Sequence, residues 1–263
     1  MRRSGLFWGS ILIVFGVLLL LQNFGILRVN VWGVFWPTLL ILLGLWTLWG
    51  VFGPKRAAAA EQVTIPLDGA SRARLRVGHG AGRLEVSGGA GPEELVAGSF
   101  GGGLDYQTQR NGDALEVRMR TPSDVVPWMW GPGGSRDWSV RLNSAIPFTL
   151  DFGTGASESH IDLSDLRVTD LKLETGASST HLTLPANAGH TQAEIEAGAA
   201  SVNIRVPEGV AARIRVEGGL ISTDVDTSRF PQLGGLYQSA DYDSASNRVD
   251  LRIEGGAGSI KVR

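Results

Sequence analysis

The chain has 263 residues, with 24 basic and 26 acidic side chains and no cysteine, which excludes disulfides, thiolate metal sites and cysteine nucleophiles. The first 56 residues contain no Asp or Glu, so residues 57–263 hold all 26 acidic residues against 19 basic ones, a net charge of −7. A mildly acidic segment has no electrostatic attraction to nucleic acid, and we expect no such partner.

Two apolar runs predict a transmembrane helical hairpin over residues 1–56. Residues 5–27 and 31–53 each exceed the roughly 20 helical residues that span a bilayer, so the lipid bilayer is the first expected partner. A cleaved signal peptide is the alternative for the first run, but no small-residue cleavage site follows it. Tryptophans lie near the ends of the spans, where the membrane interface favours them: Trp8, Trp32 and Trp49.

Basic residues predict the orientation of this multi-pass membrane protein. Arg2 and Arg3 precede the first span and Lys55 and Arg56 follow the second, whereas only Arg28 lies in the link. Because cytoplasmic flanks carry the excess of Lys and Arg, we expect both termini, and the domain that follows, on the cytoplasmic side.

After a connector at 57–61, residues 62–263 alternate apolar and polar positions, the pattern of β-strands. A repeat is clearest over 148–263: a strand, an acidic residue, a Gly-Ala or Gly-Gly corner, then a second strand. The corner glycines Gly155, Gly176, Gly198 and Gly219 are 21, 22 and 21 residues apart. A weaker copy occupies 75–86.

The repeat predicts an all-β solenoid or β-roll with rungs of roughly 21 residues stacked in parallel, because one rung alone leaves its apolar face uncovered. Glycine at the corner is expected both for positive φ and for close approach of rungs. A hairpin with a type I′ turn at Asn111-Gly112 is expected within 104–120, and an inserted loop over 226–247. Exposed end rungs of a solenoid can pair with each other, so a homo-oligomer is also considered.

Stacking aligns two sets of chemically interesting residues. Stacked carboxylates suit Ca²⁺ binding or acid–base chemistry, but a mostly basic column two residues earlier favours a charge-balanced solvated face. The acidic column is Glu174, Glu196, Glu217 and Glu254, and the neighbouring column is Lys172, Glu194, Arg215 and Arg252. His160 and His181 occupy equivalent positions and could stack and hold a metal, but two ligands alone make no tight site, and identity of the repeat explains them.

No motif of nucleophilic, phosphate-binding or dinucleotide-binding chemistry occurs, so we predict no enzyme, no cofactor and no metal. Solenoid enzymes that cleave polysaccharides use clustered carboxylates, and Asp162, Asp165 and Asp170 form a cluster that resembles such a set. Trp128, Met129 and Trp130, flanked by Pro127 and Pro132, form a candidate interaction loop for a protein or lipid. The alternative is a loop that caps one end of the β core.

Two segments resemble a known bacterial arrangement. Residues 2–25 (RRSGLFWGSILIVFGVLLLLQNFG) and 36–44 (WPTLLILLG) resemble the LiaI/LiaF-like transmembrane region, and the repeats at 148–263 resemble the toast-rack or adhesin-like β domain that often follows it. The resemblance implies a non-catalytic membrane regulator or scaffold in the response to cell-wall-active antibiotics, with a membrane histidine kinase or another envelope protein as partner. Such proteins commonly have more than two spans, which favours a general envelope role over direct kinase inhibition.

Three functions therefore remain open at the level of sequence. The first is a membrane-anchored β-solenoid that acts by protein–protein contact in envelope-stress sensing, since a stack of rungs offers a long rigid surface. The second is an extracellular adhesive or structural solenoid, which requires the opposite orientation. The third, a carbohydrate-active solenoid, depends on the aspartate cluster.

Overall fold

The structure is a computed structural model that describes residues 36–37, 39–41, 44–45, 60–122 and 136–263. The described residues before position 60 are all helical. Within the described part of the chain, no helix is both long and apolar enough to cross a membrane. Most of the predicted spans 5–27 and 31–53 lies outside the described residues, as do Trp8, Trp32, Trp49, Arg2, Arg3, Lys55 and Arg56.

All the strands of the described residues join one sheet. They are β1 (Glu61–Pro66), β2 (Arg72–Gly88), β3 (Glu94–Phe100), β4 (Asp105–Asn111), β5 (Ala114–Arg120), β6 (Trp138–Leu142), β7 (Pro147–Asp162), β8 (Arg167–Thr175), β9 (Ser179–Thr183), β10 (His190–Arg205), β11 (Ala211–Val225), β12 (Gln232–Leu233), β13 (Leu236–Gln238) and β14 (Arg248–Val262).

Six copies of the repeat stack as parallel rungs, which confirms the repetitive all-β architecture and the parallel stacking expected from the sequence. Five rungs are single long strands, and the sixth is the pair β8 and β9. The spatial order is β2, β7, β8/β9, β10, β14, β11. β14 thus lies between two rungs that are consecutive in the chain.

Each rung is folded in two at its glycine corner. A straight strand with the 16 residues of β7 would be about 50 Å long. Only residues 163–166 join β7 to β8, and such a link spans at most about 18 Å. Yet Arg167, at the start of β8, pairs with Pro147, at the start of β7. The two ends of β7 must therefore be close together, and inward residues of both halves share one hydrophobic core.

The inward positions predicted from the alternation are buried, except at one end of the stack. Leu173, Ile195 and Ile253 are 0% exposed, as expected for residues covered by rungs on both sides. On β11, the last full rung, Val216 and Ile221 are only half-buried. The core therefore thins at the β11 end, where no further full rung follows among the described residues.

The corner glycines are required by close approach and not by backbone conformation. A Cβ added at Gly155, Gly176 or Gly198 would lie 2.3, 3.0 or 3.2 Å from the carbonyl oxygen of the corner glycine in the preceding rung. At Gly219 the corresponding distance is 3.7 Å, an ordinary contact. None of these four glycines has a positive φ, so that part of the prediction is wrong. The rungs therefore meet too closely for a side chain at Gly155, tightly at Gly176 and Gly198, and with ordinary spacing at Gly219.

The predicted hairpin is confirmed, but its turn is not the one expected. β4 and β5 pair antiparallel, and Asn111 pairs with Ala114, so the two central residues are Gly112 and Asp113. Only Gly112 has a positive φ, of 65°. A type I′ turn needs positive φ at both central residues, whereas glycine at the first alone is the pattern of a type II′ turn.

The opposite end of the stack is closed by shorter strands. β5 pairs with the first half of β2 and β6 with its second half, so together they form a discontinuous seventh rung. β4 then covers β5, while β3 and β1 continue outward from β6. In the sequence, residues 121–137 link β5 to β6.

The insertion at 226–247 is tied to the last three rungs. Its strand β13 pairs with Arg213 and Ile214 at the start of β11. The carboxylate of Asp250 on β14 lies 2.7 Å from His190 Nε2 on β10 and 3.7 Å from Arg213 on β11. Arg213 also stacks over the ring of Tyr242, 4.1 Å from its centroid. One carboxylate therefore joins β14 to both of its neighbours.

Candidate interaction surfaces

The predicted acidic residues do form a column on the outer face of the stack. Its spatial order is Glu174, Glu196, Glu254, Glu217, because β14 precedes β11 in space. The side chains are between 44 and 53% exposed. This Glu column is solvated, as the charge-balanced interpretation requires.

Two cations each bridge a pair of carboxylates in the Glu column. Lys172 Nζ lies 2.7 Å from Glu174 and 3.1 Å from Glu196. Arg252 lies 2.6 Å from Glu254 and 3.7 Å from Glu217. Hydrogen bonds to Glu174 and Glu196 raise the pKa of Lys172 well above its usual value. A cation shared between neighbouring rungs reduces the repulsion between their stacked carboxylates.

A shallow groove of about 860 Å³ follows the glycine corners across all six rungs. The Glu column lies along it, and the backbone of the corner glycines is exposed in it. The groove exists because the corner positions carry no side chain. Within the described residues, no group of three or more His, Asp or Glu side chains could hold a metal ion. The calcium interpretation of the Glu column therefore has no geometric support.

His160 and His181 stack face to face, with ring centroids 4.8 Å apart and planes 4° from parallel. The next residue in this column is Asn203, and not its neighbour Val202. Val202 is 0% exposed and belongs to the inward set. An amide after two imidazoles does not extend a metal site, and the pair remains a consequence of repeat identity.

The three aspartates of the suspected glycan-cleaving cluster have separate structural roles. Asp162 ends β7 and accepts a hydrogen bond from the Ser164 amide, 3.0 Å away. Asp170 lies within β8 and accepts one from the Thr169 hydroxyl, 2.7 Å away. Asp165 lies in the link between the two strands, so the set is spread over a strand end, a turn and a strand.

The aromatic loop at Trp128, Met129 and Trp130 lies outside the described residues. In the sequence it belongs to the link between β5 and β6. Both interpretations, an interaction loop and a cap, stay predictions.

His79 is a buried polar residue that the sequence did not single out. Its ring is 2% exposed and packs on Trp138, with centroids 5.2 Å apart. Nε2–H donates to the carbonyl oxygen of Arg136 at 2.9 Å, while Nδ1 has no hydrogen-bond partner among the described residues. Burial lowers the pKa of His79, and the bond to Arg136 and the charge of Asp137 oppose this only in part. The sequence did contain a signal for His79: the glycines of LRVGHGAGRLEV indicate a corner there, and the alternation of Leu75, Val77 and His79 predicts that the ring points inward.

Buried hydroxyls line the interior of the corner next to His79. In the second and third rungs, Thr154 donates to Thr175 at 3.0 Å, and Thr175 bonds in turn to Ser178. Ser159 and Thr180 are 0% exposed and bond to Ser157 and Ser178. Because these hydroxyls satisfy one another, they are structural. The repeated TGASES and TGASST segments were the available signal.

Two family matches occupy consecutive parts of the chain. Residues 6–48 match the LiaI-LiaF-like transmembrane region, and residues 54–205 match the N-terminal domain of toast_rack, DUF2154. These matches confirm the resemblance seen in the sequence. No curated protein matches the chain.

Among solved structures, one crystal structure from Clostridium sporogenes has a similar fold, with a TM-score of 0.70 and 22% sequence identity. The alignment covers 77% of this chain and 97% of that chain, which is provisionally described as a cell adhesion protein. At this identity the likeness concerns the fold alone.

Proposed function

Because the chain belongs to the toast-rack family and carries a LiaI-LiaF-like transmembrane region ahead of that domain, we propose that it is a membrane-anchored, non-catalytic regulator or scaffold of the bacterial cell-envelope stress response. The β domain acts by protein–protein contact on the cytoplasmic side. Its partner is a membrane histidine kinase or another envelope protein. The observation that carries the proposal is the direct succession of the two family matches, at 6–48 and 54–205.

The geometry of the β domain supports binding over chemistry. Six rungs joined by parallel hydrogen bonding make a rigid body, and its outer faces are regular columns of exposed side chains. The acidic positions of the Glu column are balanced by shared cations, and the aspartates of the suspected cluster serve turns and strand ends. A rigid patterned surface suits recognition, in which complementary charge sets partner choice.

Crosslinking in intact cells tests the proposal. A photoreactive amino acid replaces an exposed residue on either outer face of the full chain: Glu194 in the first half of β10, or Arg205 in its second half. We expect at least one position to capture a membrane sensor or envelope protein. The anchor alone, residues 1–56 under the same label, is the control. Recovery of no such protein from either position would contradict the proposal.

An extracellular adhesive role is the second candidate. The fold similarity to the Clostridium sporogenes protein described as a cell adhesion protein favours it. The two functions require opposite sides of the membrane, so protease added to right-side-out spheroplasts separates them. Protection of the β domain supports the cytoplasmic regulator. Digestion of an intact β domain overturns it and leaves the adhesive role.

The non-catalytic part of the proposal has its own test. Replacing Asp162, Asp165 and Asp170 together with alanine should change no glycan-processing activity of cells that express the chain. A reproducible loss of such an activity, with the fold retained, would instead support a carbohydrate-active solenoid.

A further inference from the structure

The β11 end of the stack is an open sheet edge. β11 pairs with β14 along its whole length, but on its other side β13 covers only Arg213 and Ile214. Within the described part of the chain, no strand pairs with residues 215–225 on that side. Residues 217–220 and 222–224 are exposed, and Leu220 is 82% exposed. About ten residues therefore present unpaired backbone groups, the template that a further strand can join.

The opposite end of the stack, beyond β2, is covered by short strands. There the rung formed by β5 and β6 is followed by β4, β3 and β1, and β4 (DYQTQRN) is polar and mostly exposed. Short polar edge strands discourage further pairing. β11 instead exposes the half-buried apolar side chains Val216 and Ile221 at its inward positions. A further rung paired with β11 would bury Val216 and Ile221, just as β10 and β11 bury the inward residues of β14.

We propose that the β11 edge is a self-association surface, at which two copies of the chain pair antiparallel about a two-fold axis through the corner between Gly219 and Leu220. The occupant is a second copy because the edge is complementary to itself. Two stacks of six rungs then become one continuous stack of twelve. Such an isologous contact closes after two copies and does not grow into a fibre.

The bend of the rung favours this register. The register with β14 places 214, 216 and 218 inward before the corner and 221, 223 and 225 inward after it. Rotation by 180° about this two-fold axis exchanges the two halves of the bent rung. The second copy of β11 therefore runs in the opposite direction but bends the same way. Directly opposed residues then point to the same face, as an antiparallel pair requires. The pairs are Arg215–Asp224, Val216–Thr223, Glu217–Ser222, Gly218–Ile221 and Gly219–Leu220.

Two of these pairs involve contacts that already exist within one copy. Arg215, which makes no ion pair within the described residues, is opposite Asp224 of the second copy. Asp224 already lies beside Lys261 and Arg263, so Arg215 would join an existing cluster of charges around this carboxylate. Gly218 faces Ile221, whose side chain already lies over Gly218 within each copy. β13 blocks residues 213–214 and so limits the pairing to about ten residues.

A disulfide test uses the absence of natural cysteine in the full chain. In the proposed register the two Leu220 Cα atoms lie about 6 Å apart, within the range that a disulfide bridges. The two Ser222 Cα atoms lie more than about 10 Å apart. We therefore expect oxidation of membranes containing L220C to yield a cross-linked dimer, at least fivefold more than S222C, a control that is also at an exposed position. Equal cross-linking of both, or of neither, overturns the proposal.

A charge reversal tests the register. Asp224→Arg in the L220C background should lower the cross-linked fraction several-fold, because it opposes Arg215 of the second copy with a like charge beside Lys261 and Arg263. Glu194→Arg, a charge reversal at an exposed site on β10, should leave that fraction unchanged. An undiminished dimer in the Asp224 variant would contradict the antiparallel register. The assay needs no partner protein, so its outcome is independent of the proposed function.

Discussion

Replacing Gly155 with alanine should destabilise the β domain strongly for a change of one methyl group. The new Cβ would lie 2.3 Å from the carbonyl oxygen of Gly80, about 1 Å short of an ordinary van der Waals contact. That oxygen belongs to the backbone of the adjacent rung and cannot rotate away. β7 and β2 would have to separate at the corner, which strains the ladder bonds on both sides of it.

The expected cost is about 3 kcal/mol, at the upper end of what overpacking of a well-packed site costs. Gly153, two residues earlier on the same face of β7, is the matched control. A Cβ there would lie 4.0 Å from the nearest atom, the carbonyl oxygen of Val77, and its φ is not positive. Gly153→Ala should therefore be neutral or stabilise by up to about 1 kcal/mol, because glycine within a strand is disfavoured.

Thermal unfolding of the full chain in detergent, followed by circular dichroism of the β signal, measures both variants. For a domain of this size 1 kcal/mol shifts Tm by about 2–4 °C, so Gly155→Ala should lower Tm by roughly 6–12 °C. The Tm of Gly153→Ala should stay at or slightly above that of the wild type. If both variants melt with the wild type, the rungs do not meet as closely at the corner as the structure has them, and the steric explanation of the corner glycines fails.

Three further substitutions test other parts of the β domain by the same melting assay. Ile221→Ala should cost about 2 kcal/mol, because its side chain fills the space over two glycines, whereas Leu220→Ala next to it should change Tm little. Burial lowers the pKa of His79, so as pH falls this imidazole is protonated in the unfolded chain before it is protonated in the folded one. The free energy of unfolding should therefore decrease below about pH 6.5, the usual pKa of histidine. His79→Gln should reduce the difference in Tm between pH 7.5 and pH 5. Lys172→Met should lower Tm at low salt, because two carboxylates lose their shared cation, and this deficit should shrink at high salt; a deficit that salt leaves unchanged would contradict its electrostatic origin.

The repeat, the strands and their parallel stacking were predictable because they follow from local pattern. Alternation identified inward residues such as Leu173 and Ile253, and the spacing of glycines identified the corners. The charge-balanced face was also predictable, since register alone brings Lys172 between Glu174 and Glu196.

The order of the rungs was not predictable, because every rung offers its neighbours nearly the same columns. What places β14 between β10 and β11 is a set of contacts remote in sequence, in which Asp250 contacts both His190 and Arg213. Glycine at the corners was expected for two reasons: the close approach of rungs is confirmed, and the positive φ is wrong. The sequence could not supply the partner of each contact, because Gly155 meets Gly80, which is far away in the chain.

The position of β14 has a consequence for how the domain folds. β10 and β11 are synthesised before β14 and are joined by a short link. Because both match the side-chain columns of β14, they could pair directly with each other in the register that each forms with β14 in the native fold. The native arrangement requires that this early pairing be avoided or undone so that the last strand can enter. We expect the final two rungs to be a late, separable folding unit, and truncation before residue 248 to leave β11 bound to the wrong neighbour instead of simply shortening the stack.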